Sequence, residues 1–306
     1  MAFNFKYSYA EFPKWTDRAE GMEVIEGDYD YLRVNCPDAV TYRKKNGKSL
    51  HIRFLFPENA DALRYPLIIH VKGSAWMEQN LMGNFGDYYS IVRSGFAVAV
   101  IEYRDAFTAK FPAQILDLKT AARYIRQHAR EYPIDMNNVY LAGDSSGGHT
   151  AVLGFLTWNM PVLDNQDETE ELPALRGFLD FYGVTDIRDL SSRETGMSLE
   201  DNRYISTRLF EKPADENPEE YERSSAFTYI NLRDTLEPVL IVHGNKDRLV
   251  PLSHSVDLYK ALKGRNAEAY LVMVNNADHG HSFFWNEAVK KRVISFLKQN
   301  LHVENR

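Results

Sequence analysis

Three short stretches of this 306-residue chain carry side chains that together could break an acyl bond. The first runs from Val139 to Val152: an apolar run, then Gly143-Asp144-Ser145-Ser146-Gly147, then the start of a small-residue helix. A Gly-x-Ser-x-Gly sequence means little alone, but between a strand and a helix it holds its serine exposed on a sharp turn. Gly143 and Gly147 suit a turn too tight for a Cβ. The N–H of Ser146 and the positive end of the helix dipole then face any negative charge forming beside Ser145. A serine hydroxyl is a poor nucleophile until a base takes its proton, and a third group must orient that base. The second stretch, His243 to Pro251, offers Asp247; the third, Asn275 to His281, offers His279. Each follows an apolar run and so lies at a strand end.

Blander readings stand beside these. The first stretch also fits a Gly-Ser-rich loop or a phosphate-cradling turn, and Asp247 also fits a cap for a helix beginning near Pro251. His281 competes with His279 as base; His279 is preferred because the following Gly280 lets the loop turn the imidazole inward. His149, one helical turn beyond Ser145, reads as a packing residue, as do His70 within a strand and His243 at a strand end. No two histidines have ligand spacing on a shared face, so no metal site is expected.

The elements that must position these residues are legible in the hydropathy. Pro66 to Val71 and Phe96 to Tyr103 are short continuous apolar runs, the pattern of strands buried on both faces of a parallel sheet. Further strands are predicted at Val139, Leu175 to Tyr182, Pro238 to His243 and Ala269 to Val274. Ile115, Leu118, Ala122 and Ile125 place one apolar stripe on a helix ending near Tyr132-Pro133; Val289, Val293, Phe296, Leu297 and Leu301 form the apolar face of a last helix. Ahead of these, Tyr29 to Val34 and Leu50 to Phe56 read as a hairpin or paired edge strands, with Lys45-Asn46-Gly47-Lys48 as a turn between them. Alternating strands and helices give an α/β fold: a doubly wound, mostly parallel, eight-stranded-type sheet with helices on both faces. Ligands in such sheets sit beyond the carboxyl ends of the strands. One domain over 1–306 is expected, with a small acidic cap from insertions at about 159–173 and 186–229 covering the site.

Bulk properties exclude several classes. A content of 44% hydrophobic and 26% charged residues is that of a globular protein. The net charge of −7 is uneven: Asp164 to Arg223 holds 17 acids against 7 bases, a net −10, which leaves +3 for the rest. With no basic stripe, nucleic acid is not an expected partner. That acidic stretch reads as a solvated surface. Met1 to Gly21 carries no apolar core of a leader, and no run is long enough to span a bilayer, so no membrane partner and a cytoplasmic location are expected. The single cysteine, Cys36, fits a reducing compartment. Composition leaves the oligomeric state open, a homodimer included.

On these residues the chain resembles the α/β-hydrolase superfamily, and within it the carboxylesterases of the hormone-sensitive-lipase and feruloyl-esterase-like (BD-FAE-like) groups. The resemblance covers roughly Leu50 to Leu301. It rests on Gly143 to Gly148, on Tyr103-Arg104 and Phe111-Pro112-Ala113 followed by Asp117, on the loop from His243 to Asp247, and on Asp278-His279-Gly280. The order Ser145, Asp247, His279 is the triad order of that superfamily. The resemblance implies hydrolysis of a small-molecule ester through an acyl-enzyme, with no cofactor. It also places the oxyanion donors on Lys72-Gly73-Ser74-Ala75-Trp76, the loop after the Pro66 strand. Where the family reads His-Gly-Gly-Gly plus an aromatic, the donors would fall on Ser74 and Ala75, with Ser146 opposite. Ser146 itself stands where alanine is frequent. Trp76, with Phe283, Phe284 and Trp285, fits either a substrate pocket or the core. Two other classes remain: an arylformamidase or peptidase-type amide hydrolase of the same fold, and a non-catalytic hydrolase-fold binding module.

Overall fold

The computed structural model describes residues 6–8, 11–26, 33–45, 47–58, 64–83, 85–190, 195–280 and 283–302. The chain divides into two compact units, Met1–Tyr31 and Leu32–Arg306, where the sequence reading took 1–306 as one domain. The physical reason lies in residues 11–26, which form no helix or strand and expose Phe12, Trp15 and Ile25. They have no periodic apolar face to bury.

The second unit is built on β1 (Arg33–Asn35), β2 (Val40–Lys45), β3 (Lys48–Glu58), β4 (Tyr65–Val71), β5 (Ala97–Ile101), β6 (Ile134–Asp144), β7 (Leu175–Phe181), β8 (Val239–Gly244) and β9 (Ala269–Val274). They pair in the order β1-β3-β5-β4-β6-β7-β8-β9, with β2 also on β3. From β5 to β9 the sheet is parallel, and β3 runs antiparallel to β5, β1 and β2. The hairpin turns at Lys45–Lys48 as expected, through Gly47 with φ +77°, but it joins β2 to β3; where described, the Tyr29 and Leu50 runs are paired strands, with Val34 and Asn35 of β1 opposite Pro57 and Phe56 of β3. Residues 29–32 and 46 of that expectation lie outside the described residues.

Helices cover both faces. On one lie α1 (Phe85–Arg93) and α9 (Glu287–Gln299); on the other lie α2 (Ala113–Gln127), α3 (Ser145–Leu156) and, later in the chain, α8 (Ser253–Gly264). This explains the continuous apolar runs. In β5, Ala97, Ala99 and Ile101 enter one core while Val98 and Val100 enter the other, so every position is buried. Between β7 and β8 come α4 (Ile187–Leu190), α5 (Leu199–Phe210), α6 (Pro218–Arg223) and α7 (Ala226–Tyr229). The chain passes from β4 outward to β5 and returns to β6 on the other side of β4. That reversal opens a crevice at the carboxyl ends of β4 and β6. Val71 and Gly143 are paired there, so the loop after β4 starts beside the Ser145 turn.

The two acidic insertions part company. Residues 159–173 follow the carboxyl end of α3, whose twelve residues place them about 18 Å along the helix from Ser145. They are tied down there: Arg123 of α2 makes a bidentate pair with Asp164 at 2.7 and 2.8 Å. Buried Lys119 donates to the carbonyls of Thr157, Met160 and Val162. This stretch does not cover the site. By contrast, the 186–229 stretch borders it, since the Gly196 N–H donates to the Arg248 carbonyl at 2.6 Å beside Asp247.

Candidate active site

Ser145 sits where β6 ends and α3 begins, with φ at +54°. A non-glycine residue in that region costs on the order of 1–3 kcal/mol and persists only where its surroundings enforce it. Here the enforcement is steric. A Cβ on Gly143 would come within 2.5 Å of the Gly147 carbonyl, and one on Gly147 within 2.2 Å of the Val71 carbonyl. Only glycine lets the helix start this close to β4 and β6.

The loops after β8 and β9 bring their residues to this point. His279 Nε2 lies 2.8 Å from Ser145 Oγ, and His279 Nδ1 lies 2.7 Å from Asp247 Oδ2. Asp247 can only accept at that contact, so Nδ1 carries the proton and Nε2 is left to accept from the Ser145 hydroxyl. Asp247 also caps its own loop, with Oδ1 accepting the N–H groups of Leu249 and Val250 at 2.8 and 2.9 Å. The capping reading and the orienting reading are thus two uses of one carboxylate. Its side chain is 1% exposed. Burial pushes this carboxyl upward, but hydrogen bonds from His243 and His279 outweigh it and hold the group below the usual carboxylate range. His243 is therefore more than a packing residue. Its Nδ1 accepts from Ser255 at 2.7 Å, which directs its Nε2–H to the Val250 carbonyl at 2.9 Å and to Asp247 at 3.2 Å. Arg248 and Asp278 join the acid loop to the base loop, and Gly280, with φ +62°, turns the chain after His279. His281 lies outside the described residues.

Opposite the serine, Asp144 anchors the loop after β4. Its carboxylate accepts from the Gly73 N–H at 2.9 Å, from His70 Nε2 at 2.8 Å and from Lys72 Nζ at 3.3 Å. Burial opposes ionisation, yet the His70 hydrogen bond and the Lys72 charge keep it below the ordinary carboxylate range. Ala75 and Trp76 follow with φ of +53° and +55°. Among the described residues the N–H groups of Ala75 and Ser146 have no hydrogen-bond partner. The Ser74 N–H, expected to be free, instead donates to Ser146 Oγ at 2.9 Å. Ala75 and Ser146 are thus the residues of the predicted oxyanion set whose N–H groups are unpartnered, and Ala75 lines the hollow beside Ser145.

A hollow of about 260 Å³ opens here, lined by Gly73, Ser74, Ala75, Tyr182, Leu249 and Gly280 around Ser145 and His279. Trp76 does not line it. Its side chain is 2% exposed in the core, edge-on to His149 at 5.4 Å. Phe284 is likewise buried, and Phe283 is exposed away from the hollow. Tyr182 was not anticipated; its ring lies 4.6 Å from that of His279, placed by a positive φ of +43° just after β7. A larger hollow of about 780 Å³ lies at the far end of α3 among Arg123, Asn159 and Glu171, remote from these groups.

Comparison with known proteins gives the family. The BD-FAE family model matches residues 53–262, which spans β3 to α8 and holds Ser145 and Asp247. The chain belongs to the BD-FAE family. Among curated relatives, this BD-FAE chain is similar to esterase LipQ of Mycobacterium tuberculosis, 26% identical over 78% of this chain and 55% of that protein. It is also similar to esterase LipC of the same organism, 25% identical over 70% and 53%. The chain thus spans about half the length of the curated relatives it matches. Among solved structures, a truncated carbohydrate esterase from gut microbiota superposes with TM-score 0.72 at 25% identity, over 90% of this chain and 98% of that one. Esterase B of Lactobacillus rhamnosis superposes with TM-score 0.72 over 87% of both chains; at 16% identity it speaks to the fold alone. That fold is the α/β-hydrolase fold.

One buried acid of this BD-FAE chain stands behind the site without a partner. Asp180 of β7 is 0% exposed and neither of its oxygens makes a hydrogen bond among the described residues. Burial pushes its carboxyl up to about 7, against the opposing pull of His243 and the Gly183 N–H. Its folded value lies above its unfolded value, so its contribution to stability is complete below about pH 4 and is lost as pH rises through about 7. Buried His149, pushed down to about 4 by burial, acts with the opposite sign over the same range. Asp180→Asn is therefore expected to make the slope of urea-unfolding free energy against pH between about pH 4 and 7 more positive than that of wild type, by a total on the order of a few kcal/mol. Parallel slopes for the two proteins would refute this.

Proposed function

We propose that this BD-FAE chain is a serine carboxylesterase hydrolysing small or aryl esters through an acyl-enzyme. The observation that carries the reading is the Ser145–His279–Asp247 relay at 2.8 and 2.7 Å, set opposite two unpartnered N–H groups. His279 Nε2 takes the Ser145 proton as Oγ attacks the ester carbonyl carbon, and the negative charge moves to the carbonyl oxygen. The N–H groups of Ala75 and Ser146 stabilise that charge, and removing one such donor typically costs on the order of 3 kcal/mol. The intermediate collapses, the C–O bond to the alcohol breaks, and His279 hands its proton to the departing oxygen. Water then repeats the sequence on the acyl-enzyme and releases the acid.

A hollow of about 260 Å³ favours small acyl groups over long chains. Among the described residues no helix is long and apolar enough to cross a membrane, and the single free Cys36 supports a cytoplasmic location. A second reading, amide hydrolysis, is favoured by one similarity. The chain is 25% identical over 86% of its length to the rat acylamino-acid-releasing enzyme, of which it covers 35%. Turnover of p-nitrophenyl esters from acetyl to decanoyl, methyl ferulate, formylkynurenine and peptide anilides separates the two. The ester reading expects p-nitrophenyl acetate and butyrate to exceed both decanoate and every amide by at least about tenfold in kcat/KM. Preference for an amide substrate would reverse it.

A further inference from the structure

The hydroxyl of Ser146 has no part in the reaction above, which uses only that residue's N–H. It is nonetheless in an unusual position. Ser146 is 1% exposed, and its Oγ accepts the Ser74 N–H at 2.9 Å from a loop 72 residues earlier in the chain. The receiving loop is strained. Ala75 and Trp76 both hold φ near +55°, and consecutive residues in that region keep it only when neighbours over-determine them. The neighbours can be named. Gly73 is held through its N–H by Asp144. Ser74 is held by its carbonyl, which accepts from Met77 N–H at 3.0 Å, and by its hydroxyl, which donates to the Met77 carbonyl at 2.7 Å and meets Tyr103 Oη at 3.2 Å. Tyr103 in turn donates to the Lys72 carbonyl at 3.1 Å. Most of these ties run within the loop or to Tyr103, two residues past β5. Between Gly73 and Trp76, the Ser74–Ser146 bond links the loop to the first turn of α3, where the nucleophile and the second oxyanion donor stand.

We infer that the Ser146 side chain is a positioning residue: its Oγ sets the loop donor Ala75 in register with the helix donor of Ser146 itself, so that one residue spaces both halves of the oxyanion hole. This rests on the hydrolase reading but needs no knowledge of the substrate. In Ser146→Ala the part-buried Ser74 N–H loses its acceptor at the edge of the hollow, an arrangement the loop relieves by shifting. The shift moves Ala75, the next residue, away from the developing charge.

The test uses the full chain and a fluorophosphonate probe. Attack on the probe forms a bond from Ser145 Oγ to phosphorus, expels fluoride and passes the proton to His279, with charge developing on the phosphoryl oxygen. For Ser146→Ala the maximal labelling rate is expected to fall about tenfold, with the half-saturating probe concentration changed less than twofold. A boronic acid, whose adduct mimics the tetrahedral intermediate, should bind more weakly by the same factor. A merely structural role would lower the amount of folded protein without moving these two quantities together. Tyr103→Phe, which keeps the Ser146 hydroxyl but removes the phenol that meets both Ser74 Oγ and the Ser146 side chain, should lower the labelling rate in the same direction and decides the matter if Ser146→Ala does not fold. Unchanged or faster labelling in the folded variants overturns the inference. Wild type that labels but hydrolyses no ester overturns the esterase reading while leaving this one standing.

Discussion

Replacing Ser145 with alanine is expected to leave a folded protein whose ester turnover drops on the order of 10⁴- to 10⁶-fold. The size follows from the role. In the proposed reaction the Oγ is the atom that bonds to the acyl carbon, and neither Ser146 nor Ser74 offers a substitute hydroxyl beside His279 Nε2, the atom that approaches Ser145 Oγ at 2.8 Å. Folding should survive because alanine keeps the same Cβ at the same φ of +54° and gives up one hydrogen bond, worth about 1 kcal/mol. Parallel kinetics and thermal unfolding check both halves. A variant that keeps turnover within tenfold of wild type, with its fold intact, would remove Ser145 as nucleophile.

Asp247→Asn is expected to cost about 10⁴-fold in kcat at neutral pH, with substrate affinity little changed. The asparagine oxygen can still accept from Leu249 and Val250, as Oδ1 does now, so the loop keeps its shape. The amide nitrogen, however, would stand where Oδ2 meets His279 Nδ1. It donates instead of accepting, which drives the imidazole to the tautomer with its proton on Nε2. That nitrogen then cannot take the Ser145 proton. The wild-type carboxylate avoids this because it is held below the usual carboxylate range by His243 and His279 against the upward push of burial. Stopped-flow measurement of acylation would read the loss directly. A loss smaller than about tenfold would mean that another group orients His279.

Much of this was legible in the residues because it is local. β4 and β5 announce themselves as continuous apolar runs, since each face of each strand meets its own core. The Ser145 turn is visible because Gly143 and Gly147 sit where any Cβ would strike backbone. Asp247 and His279 could be sought at strand ends because parallel sheets put functional loops there. β2 was not legible: of its six residues only Tyr42 is buried, so its pattern carries almost no apolar alternation. The 159–173 stretch was misplaced for a related reason. Its acidity says that it is solvated or paired, but only Arg123 and Lys119 decide at which end of α3 it is fastened.

The sequence by itself determined the buried parallel strands from β4 to β9, the strained turn at Ser145 and the three residues that hydrogen bonds join there, because backbone sterics and burial leave their mark on neighbouring positions. Tertiary structure alone decided which N–H groups near Ser145 are left unpartnered. Whether the Ser74 N–H is free depends on a hydroxyl 72 residues away, and whether Trp76 meets solvent depends on His149 beneath it. The same holds for Tyr182 beside His279, His243 behind Asp247, and Asp180 without a partner. Each is set by contacts between segments far apart in the chain, and no local pattern of residue types encodes the direction in which a single N–H or ring will point.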